Sequence, residues 1–340
     1  PLDQARIDRE TLEAMLGAMH DVFPAFRRYW RAKAVRLHKE RLPWWDLFAP
    51  VGKSQRRYSF AEAQSFVLGQ FDAYSHRLAR LAQRAFDNYW IDAEPRDGKG
   101  GGAFCMGIPS VEESRVLCNF DGSRDQVMTL AHELGHAYHN ECQVGKRPLQ
   151  RETPMTLAET ASIFCETIIT DAMLARAANP DEELAILETF LTDASQTVVD
   201  IYSRYLFEKE VFERRAQAEL SADDFCEIMT RAQLETYGDG LDPDYLHPYM
   251  WAWKPHYYIP GLSFYNFPYA FGLLFGLGLY AVYQERGESF LADYDELLRS
   301  TGEGTAAELA ARFGLDIRER AFWEESLKVV EKRIDRYQAL

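Results

Sequence analysis

The chain holds 340 residues at 47% hydrophobic and 27% charged, a composition that builds a large core and excludes fibrous, collagen-like and low-complexity classes. Its 38 Lys and Arg against 53 Asp and Glu leave a formal net charge of −15, which repels phosphate backbones and anionic headgroups, so neither nucleic acid nor a membrane is expected as a partner. Only 21 Gly and 14 Pro interrupt it, and the expected fold is mainly α, one helical domain over residues 1–340.

In chain order, two helices are expected over residues 8–22 and 24–41, the second entered through Pro24. Arg27, Arg28, Arg31, Lys33, Arg36 and Lys39 are spaced as the wet face of that helix. Ser59 and Glu62 form a capping box ahead of one long helix to about Trp90. Pro95 and the glycines at 98 and 100–102 break the pattern in a flexible turn; GxxxxGK[ST] is absent, which argues against a phosphate loop. Residues 103–106 and 116–120 then read as a small β-ribbon. Ser123 and Gln126 open a helix to about Glu141, and Thr153 with Pro154 opens another to about Ala175. Further helices are expected at 181–217, 222–236, 267–285, 288–300, 305–313 and 317–338. Residues 257–283 carry no formal charge, but Pro260, Asn266, Pro268 and several tyrosines make a buried aromatic-lined helix a better reading than a membrane span.

Cys105, Cys118, Cys142, Cys165 and Cys226 are an odd number without CxxC spacing, which reads as free thiols and points to the cytoplasm. Because the first residue is Pro1 rather than Met and no basic-then-apolar leader follows, the sequence is expected to be part of a longer chain.

The chemistry concentrates in His132-Glu133-Leu134-Gly135-His136, an HExxH run inside the helix that Ser123 opens. Its imidazoles stand at i and i+4 on one helical face, where a single ion can be gripped by both. Zinc suits two neutral imidazoles plus a carboxylate, with a fourth position left for water. Two histidines on a helix can also be structural, so the next helix matters: it brings Glu159, 23 residues beyond His136, across a loop long enough to fold the two helices together. Glu159 is the expected third ligand. Glu166, seven residues further, is placed to accept the outer N–H of a ligating histidine, or else is an ordinary surface charge. The extended spacing HExxHxxGxxH fails, since position 142 is Cys, and His139 and Cys142 compete as ligands. In the implied mechanism zinc acidifies a bound water and polarises the scissile carbonyl, while Glu133 takes the water's proton and passes it to the leaving amine. The resulting oxyanion calls for further donors, and His256 with the phenols around the helix start near residue 267 is a source; each tyrosine alone reads equally as core.

Together these motifs resemble the oligoendopeptidase F group of zinc metallopeptidases, relatives of thimet oligopeptidase. The matching pieces are Trp90-Ile91-Asp92 with Pro95-Arg96 and Gly98-Lys99, Gly102-Ala103-Phe104-Cys105, His132 to His136, Ala158 to Ser162, and Lys254 to Tyr258 through Phe264-Tyr265 to Gly272, all in the family's order. The resemblance implies a multi-helix catalytic domain with a deep channel for short peptides, one zinc ion on His132, His136 and Glu159, and Glu133 as base. It implies His256 and Tyr265 as stabilisers of the intermediate and Tyr258 and Tyr269 as neighbours of the substrate. Gly102, Ala103 and Phe104 then belong to an edge strand that pairs with substrate backbone. Family members are commonly much longer, so this chain is expected to be their C-terminal catalytic part. Two other readings remain: a helical metallocarboxypeptidase, recruiting Arg96, Lys99 and Lys254 for a terminal carboxylate, and a noncatalytic peptide-binding scaffold with a structural metal.

Overall fold

Helices begin where the sequence places capping side chains. In the computed structural model, which describes residues 1–52 and 56–340, Ser59, Ser123, Asn179, Ser221 and Thr305 each accept from the backbone N–H three residues on, a bond worth about 1 kcal/mol apiece. The helices so opened, among them Phe60–Tyr74, Arg124–Cys142 and Ala222–Tyr237, make the chain mainly α as expected.

Several boundaries differ from expectation. A single helix, Arg9–Arg36, runs through Pro24 without a break. Its stripe of Met19, Phe23, Phe26 and Trp30 is buried on both sides of the proline, and it packs along Arg320–Ala339. That continuous burial outweighs the cost of about 3 kcal/mol that a proline imposes inside a helix. Lys33, expected on the wet face, is wholly buried. It follows Phe26 and Trp30 on the same stripe at helical spacing, and its Nζ donates to Glu188 Oε1 at 2.5 Å and to the Leu47 carbonyl at 2.6 Å.

The long helix expected to reach Trp90 is two, Phe60–Tyr74 and His76–Asp87. Between them Ser75 is extended (φ −155°, ψ 120°) and caps the Leu78 N–H with its own side chain, the alternative that serine offers a helix. The run after Pro154 also divides, into Met155–Ala158 and Thr160–Ala175 with Glu159 at the junction. Pro180–Ser195 and Ile201–Arg215 are joined by a π turn over Gln196–Asp200.

The chain divides into two compact units, one of residues 1–52, 179–274 and 317–340, the other of residues 56–178 and 275–316. In the first, Arg9–Arg36, Pro180–Ser195 and Arg320–Ala339 pack together. Trp30 meets Tyr237 with ring centroids 4.8 Å apart, and Tyr29 meets Tyr337 at 5.1 Å. In the second, Arg124–Cys142 and Thr160–Ala175 form the central pair, and Tyr74, Phe164 and Tyr294 pack their rings together.

Against Arg124–Cys142 lies a three-stranded sheet in the order β1 (Ile91–Asp92), β3 (Glu113–Leu117), β2 (Phe104–Ile108). β2 runs antiparallel to β3, with Cys105 opposite Val116, and β1 runs parallel to β3. The expected ribbon is therefore present with a third short strand added. Gly102 and Ala103 precede β2 and lie outside it. The loop before β2 is pinned rather than loose: buried Lys99 donates to the carbonyls of Asp92, Glu94 and Cys118 at 2.9, 3.0 and 2.7 Å. Among the described residues no helix is long and apolar enough to cross a membrane.

Candidate metal centre

Two helices of the second unit build the site. Ser123 sets the start of the first by accepting from Gln126 N–H at 3.3 Å, and His132 and His136 then share a face with ring centroids 4.9 Å apart. Between them in sequence, Gly135 meets the second helix so closely that a Cβ would stand 2.6 Å from the Ala161 carbonyl oxygen and 2.7 Å from Ser162 Cα. Only glycine permits that approach. It carries Glu159, at the head of the second helix, to the histidines: Glu159 Oε2 lies 3.3 Å from His132 Nε2 and 3.3 Å from His136 Nε2.

These three ligand atoms lie within 4.8 Å of one another and form a group that could hold a metal ion. Two imidazoles and a carboxylate suit zinc, which takes nitrogen and oxygen at tetrahedral corners. Ser162, a residue not singled out from the sequence, donates its hydroxyl to the same Glu159 Oε2 at 2.7 Å. Its signal was present in the i+3 spacing from Glu159, the reach of a side chain around one helical turn. Glu166 Oε2 stands 3.2 Å from His132 Nδ1, the nitrogen facing away from Glu159.

Carboxylates dominate the electrostatics. Burial pulls the His132 pKa down, but Glu159 and Glu166 on either side outweigh it and push it up to about 10. Burial likewise favours the neutral form of Glu159, and the two imidazoles reverse this and hold its pKa far below the carboxylate range. Glu133 is 5% exposed, with its Oε2 buried and meeting no hydrogen-bond partner among the described residues. Burial raises its pKa against the pull of the two imidazoles.

His139 and Cys142, the competing ligands, do not join the cluster. His139 Nε2 bonds to Thr301 Oγ1 at 2.8 Å, and burial, with His136 nearby, lowers its pKa to about 4. Cys142 is buried and its thiol pKa is driven up by desolvation, so it offers no thiolate.

The later motif lies in the first unit and gathers on its own. The rings of His256 and Tyr265 are 5.4 Å apart, and the Tyr265 and Tyr269 hydroxyls are hydrogen-bonded at 2.7 Å. The Tyr258 hydroxyl donates to the Ala252 carbonyl at 3.1 Å. On the sheet, β2 is an edge strand with Phe104 and Met106 exposed. The cations of the carboxypeptidase reading are engaged elsewhere: Arg96 forks onto both carboxylate oxygens of Asp92 at 2.6 and 2.8 Å, Lys99 pins its loop, and Lys254 Nζ sits 3.6 Å from the Trp253 ring centroid.

Comparison with known proteins follows the same lines. Residues 2–329 match the family model for peptidase family M3. The chain is 23% identical over 336 residues to the chromosomal oligoendopeptidase F of Lactococcus lactis subsp. cremoris, covering 98% of this chain and 55% of that one. It is 24% identical to the group B oligopeptidase PepB of Streptococcus agalactiae, covering 96% of this chain and 54% of PepB. The crystal structure of oligoendopeptidase-F from Enterococcus faecium superposes with a TM-score of 0.72 at 19% identity, over 99% of this chain and 54% of that one, a likeness of fold. The chain thus spans about half the length of the relatives it matches.

Proposed function

Since the chain belongs to peptidase family M3, we propose that it carries the catalytic part of a zinc-dependent oligoendopeptidase, which hydrolyses internal bonds of short peptides. The convergence of His132 Nε2, His136 Nε2 and Glu159 Oε2 carries this reading. Those residues hold one zinc ion, which when bound supplies Lewis acidity toward a water and the scissile carbonyl.

The remaining work belongs to the chain's own side chains. Glu133 takes a proton from the attacking water and delivers it to the leaving amine; burial, which raises its pKa, favours the protonated form through which it must pass. Glu166 accepts the His132 Nδ1 proton and so fixes the tautomer whose Nε2 is free to ligate. His256 and Tyr265 are assigned as donors to the oxyanion, with Tyr258 and Tyr269 near the substrate, as the resemblance of the Lys254 to Gly272 motif implies. The free outer edge of β2, beginning at Phe104 after Gly102 and Ala103, suits strand addition by an extended peptide. Five free cysteines support a reducing, cytoplasmic setting.

Metal analysis paired with cleavage of a quenched short peptide, before and after chelation, tests the assignment. One zinc per chain and activity that is lost with chelator and restored by zinc are expected; undiminished cleavage by the metal-free protein would sink it. A substrate amidated at its C-terminus should still be cut, whereas an obligate carboxypeptidase would leave it intact.

A further inference from the structure

Within the first unit, a cleft of about 260 Å³ opens beside His256, walled by Phe207, Phe212, Phe225, Trp251 and Tyr257. Glu208 also lines it. This carboxylate is only 8% exposed, its Oε1 accepts the Phe264 N–H at 2.6 Å, and no basic side chain among the described residues pairs with it. Arg215, which also lines the cleft, is exposed and lays its guanidinium over the Phe212 ring at 5.2 Å. Three further polar atoms of the lining, His256 Nε2, Tyr257 Oη and Trp251 Nε1, are buried without a hydrogen-bond partner among the described residues.

A buried carboxylate lacking a counter-charge is costly, and burial accordingly raises the Glu208 pKa. Aromatic faces around such a group attract cations, since each ring presents its negative quadrupole to the cavity. Burial, with Arg204 and Lys254 nearby, lowers the His256 pKa to about 4, so its ring is neutral at pH 7 and one of its nitrogens can accept.

We propose that this cleft receives an ammonium or guanidinium group of the bound peptide, with Glu208 as its counter-charge and the aromatic side chains as its walls. That the guest is a peptide rests on the oligopeptidase reading. The bond to Phe264 offers a purely structural role for Glu208, because Phe264 holds a left-handed backbone (φ 55°) just ahead of Tyr265. Glutamine at 208 keeps that acceptor and removes only the charge.

The experiment measures binding, so it does not depend on turnover. Zinc-loaded Glu133→Gln protein is titrated with short peptides, acetylated and amidated, that differ at one scanned position by Lys, Arg, norleucine or Glu; a free-amine norleucine peptide separates the terminal ammonium from a side chain. The cationic peptides should bind at least about tenfold tighter than the blocked norleucine peptide. Adding Glu208→Gln should shrink that ratio to within about twofold and improve binding of the Glu peptide. Should Glu208→Gln not fold, Phe212→Ala, at an exposed wall, should reduce the ratio at least about threefold. The proposal is overturned if neither a basic side chain nor a free amino terminus adds affinity, or if the added affinity survives both substitutions. Cleavage of the same peptides by the wild-type chain is scored separately: turnover without charge preference leaves the peptidase reading and removes the cleft, and preference without turnover does the reverse.

Discussion

Two of the clusters of ionisable groups in this chain balance their charge differently. In the first unit Lys33 is wholly buried against Glu188 Oε1, which also accepts from the Tyr29 hydroxyl at 3.1 Å. One positive and one negative group cancel, and nothing is left for a ligand to neutralise. In the second unit three carboxylates, Glu133, Glu159 and Glu166, meet only two imidazoles, and positive charge is in deficit. A divalent cation would fill that deficit. Buried ionic groups therefore do not by themselves mark a functional site; an uncompensated set does.

The sharpest test of this contrast is Glu133→Gln. Stoichiometric zinc should be retained while peptide cleavage falls by about two to four orders of magnitude, the usual worth of a general base. Metal content and initial rates measured on one preparation decide it, and equal activity removes Glu133 from its role.

Lys33→Met should act in the opposite sense. Stranding Glu188 in the core should cost about 3–5 kcal/mol in urea unfolding, with zinc stoichiometry unchanged, and the double variant Lys33→Met, Glu188→Leu should recover most of that loss. A neutral single variant would show that the pair is not the closed account that the contrast requires.

Acid should unfold the protein partly through His139. Its folded pKa of about 4 lies below the usual value of 6.5, so the unfolded chain binds the proton more readily and stability declines as pH falls from 6.5 toward 4. The full loss from this group is about 3 kcal/mol at roughly 1.4 kcal/mol per pH unit. Denaturant midpoints across that range should show a shallower decline in His139→Gln.

The smallest expected effect belongs to Glu166→Ala. Freeing His132 Nδ1 should weaken zinc binding by roughly 10- to 100-fold, read by competition with a chelator, and Glu166→Gln, which keeps an acceptor, should weaken it less.

Legibility followed the range of the interaction concerned. The caps at Ser59 and Ser123 and the two histidines one turn apart depend on neighbours within four residues, and the sequence displays them directly. Lys33 sets residue type against position: Phe26, Trp30 and Lys33 share one stripe, and the pattern says buried where the residue type says wet. The break at Ser75 was hidden because an amphipathic pattern continues across it, and one side-chain bond to Leu78 decides the matter.

Residue types and their spacing determined by themselves the helical class, the HExxH face and the supply of a carboxylate beyond it, since helical periodicity turns spacing into direction. Tertiary structure alone decided that Gly135 lets a second helix close to touching distance, that His139 turns to Thr301, and that Lys33 finds Glu188 155 positions away. Those outcomes depend on which distant surfaces fit together, and no local rule carries that information along the chain.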